Sequence, residues 1–248
     1  GVLLLLISVF MIFQTTCKVW GAEKPANATQ QGIDVSSHQG KIDWEQVKNS
    51  ALADYAIIRC GYGINQTDKD DKYWDYNSSE CERLGIPYGT YLYSGADTTA
   101  KAKSEAEHVV RLLQGKNLTY PIYYDMEADM LNQLSSTQIG NIAKTFLNTM
   151  ESYGYKNVAV YSNKYLFETK LTASVFSDYP KWIAQHSNKC TYQGSYHMWQ
   201  YSTQGVIPGI SEKVDLNYKI GNWTYAGYSS AKKTVVVKPK ATTIKSLK

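Results

Sequence analysis

Short apolar runs alternate with longer stretches whose apolar residues recur every three to four positions, from about residue 32 to residue 216. Side chains on a strand change face at every residue, whereas a helix returns to one face every 3.6 residues, so the two patterns mark strands and helices. Strands are predicted at 32–36, 55–60, 87–93, 120–125, 158–161, 181–184, 197–201 and 214–216. Helices are predicted near 44–49, 73–84, 98–113 and 137–153, with a short one near 164–168. The first five strands alternate with helices, and little helix separates the last three. Repeated strand–helix units imply parallel strands joined by right-handed crossovers. Eight strands in roughly 190 residues predict an α/β fold, a single TIM-like (β/α) barrel with irregular, helix-poor last units. The alternative is a doubly wound open sheet, whose usual Gly-rich turn after the first strand is replaced here by Asp34-Val-Ser-Ser-His38.

The two ends read differently from this body. Residues 2–13 form an apolar run with Ser8 as its polar member. The run is short for a membrane span, which needs roughly 20 residues, and matches the core of a signal peptide. Residues 1–22 are therefore expected to be a signal peptide or N-terminal anchor, with cleavage near Gly21 or Ala22. The polar stretch 23–31, which contains Pro25, is expected to be a linker, and 32–225 the barrel. From Ala226 to Lys248 there are six Lys and no acid, so this segment reads as a basic linker or tail. The formal net charge of +4 hides that asymmetry: between the ends stand 18 Lys and Arg against 21 Asp and Glu. The body carries no basic stripe interleaved with aromatics, which argues against a nucleic-acid partner.

Composition adds one unusual term, 21 Tyr and 6 Trp against 5 Phe. Tyr and Trp pair an apolar face with a polar tip, which suits wet, aromatic-lined surfaces such as those that take sugars. The competing explanation is that Tyr fills strands well. Outside the leader stand Cys60, Cys81 and Cys190, an odd number. A Cys60–Cys81 bridge and two small buried thiols are both open readings. No zinc-ligand spacing, phosphate-binding Gly-rich loop with Lys, or Gly-x-Ser-x-Gly elbow occurs, and His38, His108, His186 and His197 show no ligand spacing. No cofactor and no metal are expected.

Chemistry on a parallel barrel gathers at the C-terminal ends of the strands. In Tyr120-Pro-Ile-Tyr-Tyr-Asp125-Met-Glu127 the strand alternation puts Asp125 and Glu127 on one face and Met126 on the other. Two carboxylates about 7 Å apart along a strand, on an aromatic wall, are expected to hold their protons unequally. That division of labour is what glycosidic cleavage needs. Asp34 occupies the matching position on the first strand and Asp215 lies on the last. In a closed barrel those two strands are neighbours, so four acids would converge.

In order along the chain, Gly32-Ile-Asp-Val-Ser-Ser-His-Gln-Gly40, Ile42-Asp-Trp44, Ile58-Arg-Cys-Gly-Tyr-Gly63, Gly85-Ile-Pro-Tyr-Gly89 with Tyr91-Leu-Tyr93, the stretch from Pro121 to Glu127, Trp182-Ile-Ala184, Trp199-Gln-Tyr201 and Val214-Asp-Leu-Asn217 resemble the family 25 glycoside hydrolases. The resemblance covers about residues 32–222. It implies a muramidase (lysozyme) that cleaves the β-1,4 bond between N-acetylmuramic acid and N-acetylglucosamine in peptidoglycan. It implies Glu127 as general acid/base and Asp125 as the group assisting the substrate's own 2-acetamido group. Asp34 and Asp215 would tune that pair and bind sugar. Tyr62, Tyr93, Trp182 and Trp199 are candidate sugar contacts, each also open to a packing role. Tyr124 alternates away from Asp125 and is not a candidate. Partners implied are peptidoglycan glycan strands, with anionic wall polymers attracted by the basic tail, for a monomer that is secreted, wall-associated or anchored at its N-terminus. The alternatives are a non-catalytic wall-binding module, against which the presence of all four acids argues, and a hydrolase of another N-acetylated glycan.

Overall fold

A computed structural model describes residues 22–223. The expected leader (apart from Ala22) and the basic tail over 226–248 lie outside the described residues. Eight strands run β1 (Ala28–Val35), β2 (Tyr55–Tyr62), β3 (Tyr88–Tyr93), β4 (Ile122–Asp125), β5 (Val158–Asn163), β6 (Lys181–Ala184), β7 (Met198–Gly205) and β8 (Val214–Ile220). They close into a barrel in chain order. Helices α1 (Trp44–Ser50), α2 (Trp74–Leu84), α3 (Thr99–Leu112), α4 (Ser136–Ser152), α5 (Lys164–Thr169) and α6 (Val175–Asp178) lie in the connections as far as β6.

Local chemistry explains the helix starts. Asp43, Thr98, Ser135 and Asn163 each accept a hydrogen bond from a backbone N–H of the turn they open. A cap of this kind contributes about 1 kcal/mol by satisfying a donor that the helix leaves free. The longest helix, α4, buries Ile139, Ile142, Ala143, Phe146, Leu147 and Met150, spaced as one helical stripe facing the barrel.

Three features depart from the sequence reading. β1 begins at Ala28, inside the stretch expected to be linker, because residues 28–31 pair with the far end of β8. α6 was not predicted; it is a single turn with no side-chain cap. β8 runs antiparallel to both β7 and β1, whereas β1 to β7 are parallel throughout. Only eight residues join β7 to β8, and a parallel crossover needs a dozen or more.

The core has two layers. Between strands and helices lies a broad apolar layer that includes Val35, Ile58, Leu92, Tyr124, Phe146 and Trp199. Inside the barrel stand Tyr55, Ile57, Tyr123, Ala159, Tyr161, Trp182, Ala184 and Met198, with Tyr91 against them. Much of the aromatic excess is thus spent on filling the barrel rather than on lining a wet surface. Gly32 makes room for this: a Cβ there would sit 2.4 Å from the Tyr55 ring, which stacks on Tyr120 at 4.4 Å. Cys60 and Cys81 are both buried free thiols, so the bridge considered between them is not formed. Burial pushes the Cys60 thiol up to about 12, which keeps it protonated and inert.

Candidate active site

The four acids meet at one rim. Asp125 ends β4, and Glu127 follows two residues later on the same face. Met126 turns the other way into the outer core. Asp34 and Asp215 are register partners across β1 and β8. Asp215 stands at the start of its strand, not the end. It reaches the rim because β8 runs backwards, so the expected convergence holds while the strand-end reasoning behind it fails for this residue.

The electrostatics follow from burial. Asp34 and Asp125 are 5% and 2% exposed, too dry to ionise cheaply. Burial, reinforced by the charge of Asp215, raises Asp34 well above the ordinary carboxylate range; hydrogen bonds from Asn217 and Gln200 act against this. The two acids hold protons unequally: Asp215 favours the proton on Asp34, and Asp34 favours the charge on Asp215. Asp215 is raised to about 6, mainly by burial. Burial also raises Asp125 well above its usual range, with Glu127 and Asp34 adding to it and the guanidinium of Arg59 opposing. Glu127 is raised by burial first and by Asp34 next; His186 and the Tyr161 hydroxyl oppose. Among the described residues, Oδ1 of Asp125 is a buried oxygen with no hydrogen-bond partner.

Polar side chains that the sequence reading did not single out hold these acids. Asn217 donates to Asp34 Oδ2 at 2.7 Å, and Gln200 donates to the same oxygen at 3.0 Å. Gln200 in turn accepts from Tyr161 at 3.0 Å and lies 2.9 Å from Nε2 of His186. Arg59 is clamped by Asp71 and Ser37, each at 2.9 Å. Alternation was the available signal: Arg59 shares a face with Tyr55 and Ile57, and Asn217 lies two residues from Asp215. Neither residue type is at home inside a barrel unless it has partners there.

The four aromatic candidates separate. Tyr62 ends β2 at the rim and is 41% exposed. Tyr93 ends β3 beside Asp125, its register partner, and burial raises its phenol, with Asp125 and Glu127 adding to the effect. Trp182 does not face solvent. It is 1% exposed, donates to Asn217 at 2.8 Å and packs on Tyr91, Tyr123 and Tyr161, so it forms the floor beneath the acids. Trp199 is a correction: it alternates away from Gln200, is fully buried in the outer layer and donates to the Gln185 carbonyl at 2.8 Å. Neither indole offers a face to a sugar. Among the described residues no group of His, Cys, Asp and Glu is arranged to hold a metal ion.

Comparison with known proteins agrees with this architecture. Residues 33–210 match the family model of the glycosyl hydrolases family 25. The chain is similar to the autolytic lysozyme of Clostridium acetobutylicum, 30% identical over 188 residues that cover 75% of this chain and 55% of that protein. It is 28% identical to lysozyme M1 of Streptomyces globisporus, over 75% of this chain and 66% of that one. Among solved structures, the modular autolysin LytC of Streptococcus pneumoniae superposes with a TM-score of 0.70 at 33% identity, covering 76% of this chain and 46% of LytC. The chain thus spans about half the length of the clostridial lysozyme and of LytC. A match over residues 33–210, on a closed barrel with four acids at one rim, establishes that the chain belongs to the glycosyl hydrolases family 25.

Proposed function

We propose that the protein is a peptidoglycan hydrolase, a muramidase that cleaves the β-1,4 bond between N-acetylmuramic acid and N-acetylglucosamine. The observation that carries this reading is the pairing of Asp125 and Glu127 on one face, with Asp34 and Asp215 opposite. Glu127 is the general acid: its raised affinity for a proton keeps it protonated to deliver that proton to the leaving oxygen. Asp125 assists the substrate's 2-acetamido group. Its unpartnered Oδ1 is the acceptor for the amide N–H, whose carbonyl oxygen then attacks the anomeric carbon. Water opens the resulting intermediate with Glu127 returned to the role of base. Asp34 and Asp215 supply the negative field that holds the proton on Glu127. Tyr62 and Tyr93, at the mouth, contact the sugar rings. In support, the clostridial and streptomycete relatives are lysozymes by name, and LytC is known in complex with a synthetic peptidoglycan ligand. Such a substrate calls for export, which the apolar run at residues 2–13 supports. The basic tail would then hold the enzyme near anionic wall polymers.

The test is digestion of purified peptidoglycan by the protein and by its Glu127→Gln variant, with new reducing ends reduced by borohydride and identified by mass spectrometry. Reduced muramic ends from the wild type, and a loss of about 10²–10⁴-fold in the variant, are expected. Reduced glucosamine ends would overturn the bond assignment. No new ends from any wall would overturn the enzymatic reading.

A further inference from the structure

We propose that His108 is a positioning residue: from α3 its imidazole grips both the strand end that carries Tyr62 and the segment beneath the Tyr62 ring, and so holds that ring at the mouth. His108 shows no ligand spacing in the sequence, yet it is fully buried. Tyr62 closes β2 between two glycines. On one side the strand passes directly against the imidazole: a Cβ at Gly61 would lie 2.9 Å from the His108 ring and 2.8 Å from the Lys69 carbonyl. On the other side the Gly63 carbonyl lies 3.0 Å from His108 Nδ1, and the Gly63 N–H donates to the Tyr93 carbonyl at 2.9 Å. Gly63 has a φ of +61°, a left-handed turn that suits glycine and takes the chain off the sheet.

The same ring holds the bed on which Tyr62 lies. Asp70 pairs with Gly61 in an isolated antiparallel bridge, so the segment before it folds back along β2. In that segment the Lys69 ammonium stands 4.9 Å from the Tyr62 ring centroid, and the Asp68 carbonyl accepts from the Tyr62 hydroxyl at 3.5 Å. Asp70 is fixed from α3. Its Oδ1 lies 2.7 Å from His108 Nε2, and the Arg111 guanidinium donates to both its oxygens, at 2.9 and 2.5 Å. Arg111 Nε also donates to Asn65 Oδ1 at 2.8 Å, and the Asn65 N–H donates to Ser104 Oγ at 3.2 Å.

The partners of His108 decide where its protons lie. Burial pushes the Asp70 carboxyl up, but the donors on His108 and Arg111 hold it below the ordinary range, so it stands as a carboxylate. A carboxylate and a backbone carbonyl only accept, so both ring nitrogens must donate. Only the imidazolium donates from both, and its charge is paired with Asp70. A ring with one proton would keep one bond and let go of either Gly63 or Asp70. Neither hydrogen bond of the ring reaches Asp34, Asp125, Glu127 or Asp215, so its effect on substrate passes through Tyr62.

The role of Tyr62 as a sugar contact rests on the muramidase reading, but the grip on it can be tested without activity. At neutral pH, nitrogen-15 NMR of the labelled wild type should show hydrogen on both His108 nitrogens; a bare nitrogen overturns the proposal. The consequence for substrate is read in His108→Gln, whose amide can donate to one of the two partners but not to both. Peptidoglycan digestion should show KM raised about two- to tenfold, the worth of one hydrogen bond, with kcat nearly unchanged. In a Tyr62→Ala background the same change should raise KM no further. An unmoved KM in folded His108→Gln overturns the proposal, as does an equal rise without the phenol or a fall in kcat alone. If His108→Gln does not fold, Asp70→Asn takes its place, because it weakens the other half of the grip and leaves the ring where it is. The same rise in KM, lost in the Tyr62→Ala background, is expected, and an unmoved KM overturns the proposal. A wild type with hydrogen on both nitrogens that cuts no peptidoglycan would fail the functional reading and leave the grip standing.

Discussion

Asp34 and Asp215 face one another across the antiparallel pairing of β1 and β8, and burial raises both above the ordinary carboxylate range. Two like groups this close resist being charged together, and burial adds to the cost. The site therefore stores instability at neutral pH. An Asp in the unfolded chain titrates near 4, whereas Asp215 in the fold titrates at about 6. Between those values the folded chain holds a proton that the unfolded chain has lost, so stability falls as pH rises through that window. Asp215→Asn should raise the unfolding free energy by about 2 kcal/mol at pH 7.5 and leave it nearly unchanged at pH 3.5, while activity drops. Urea melts at the two pH values check this. Equal effects at both would remove the charge explanation.

The aromatic residues should divide in kinetics as they divide in space. Tyr62, exposed at the mouth with the Lys69 ammonium 4.9 Å from its ring centroid, is placed to meet substrate. Tyr62→Ala should raise KM by about tenfold, equivalent to about 1.4 kcal/mol of binding, with kcat nearly unchanged. Trp199→Phe should leave KM alone and instead lower stability by about 1–2 kcal/mol, because the Gln185 carbonyl loses its donor. A KM effect from Trp199→Phe in a protein of normal stability would contradict its outward orientation.

Glu105 is the third point of test. It is fully buried on α3, with Oε2 accepting from Tyr124 at 2.6 Å and Ser94 at 2.9 Å, and Oε1 accepting from the Gly95 N–H at 2.8 Å. Burial raises its pKa, and these three donors counter that rise. The cluster ties α3 to the loop after Tyr93, and the Ser94 N–H donates to the carbonyl of Asp125 at 2.9 Å. Glu105→Ala leaves buried donors without an acceptor and should cost about 3 kcal/mol. It should also lower kcat by loosening the backbone under Asp125. Chemical denaturation gives the first number and wall-digestion rates the second. A variant as stable as wild type would show that the cluster rearranges at no cost.

All eight strands and the five longer helices were legible as periodicity, and the Asp125–Glu127 face as alternation. The direction of β8 was hidden by a boundary. Reading the seventh strand as ending at Tyr201 left a gap of twelve residues, long enough for a crossover, whereas β7 runs on to Gly205 and leaves eight. The outward turn of Trp199 was hidden for a different reason. A barrel strand is buried on both faces, so apolar residues carry no inside–outside label. The more telling residues were the polar ones in such strands, Arg59, Gln200 and Asn217. Each is buried or nearly so, and each holds a charged or polar partner.

The backward course of β8 also governs when the site can exist at all. Asp34 draws its hydrogen bonds from residues 166 and 183 positions later in the chain, and its acidic partner rides on the strand that seals the barrel. Contacts this distant form late, because the chain must close a long loop before they are rewarded. A nascent chain that has not yet delivered residues 214–220 has an open seam between β1 and β7, and Asp34 lacks both Asp215 and Asn217. Competence for catalysis is thus withheld until the closing strand docks, and any fragment cut before Val214 should be inert however much of the barrel it retains.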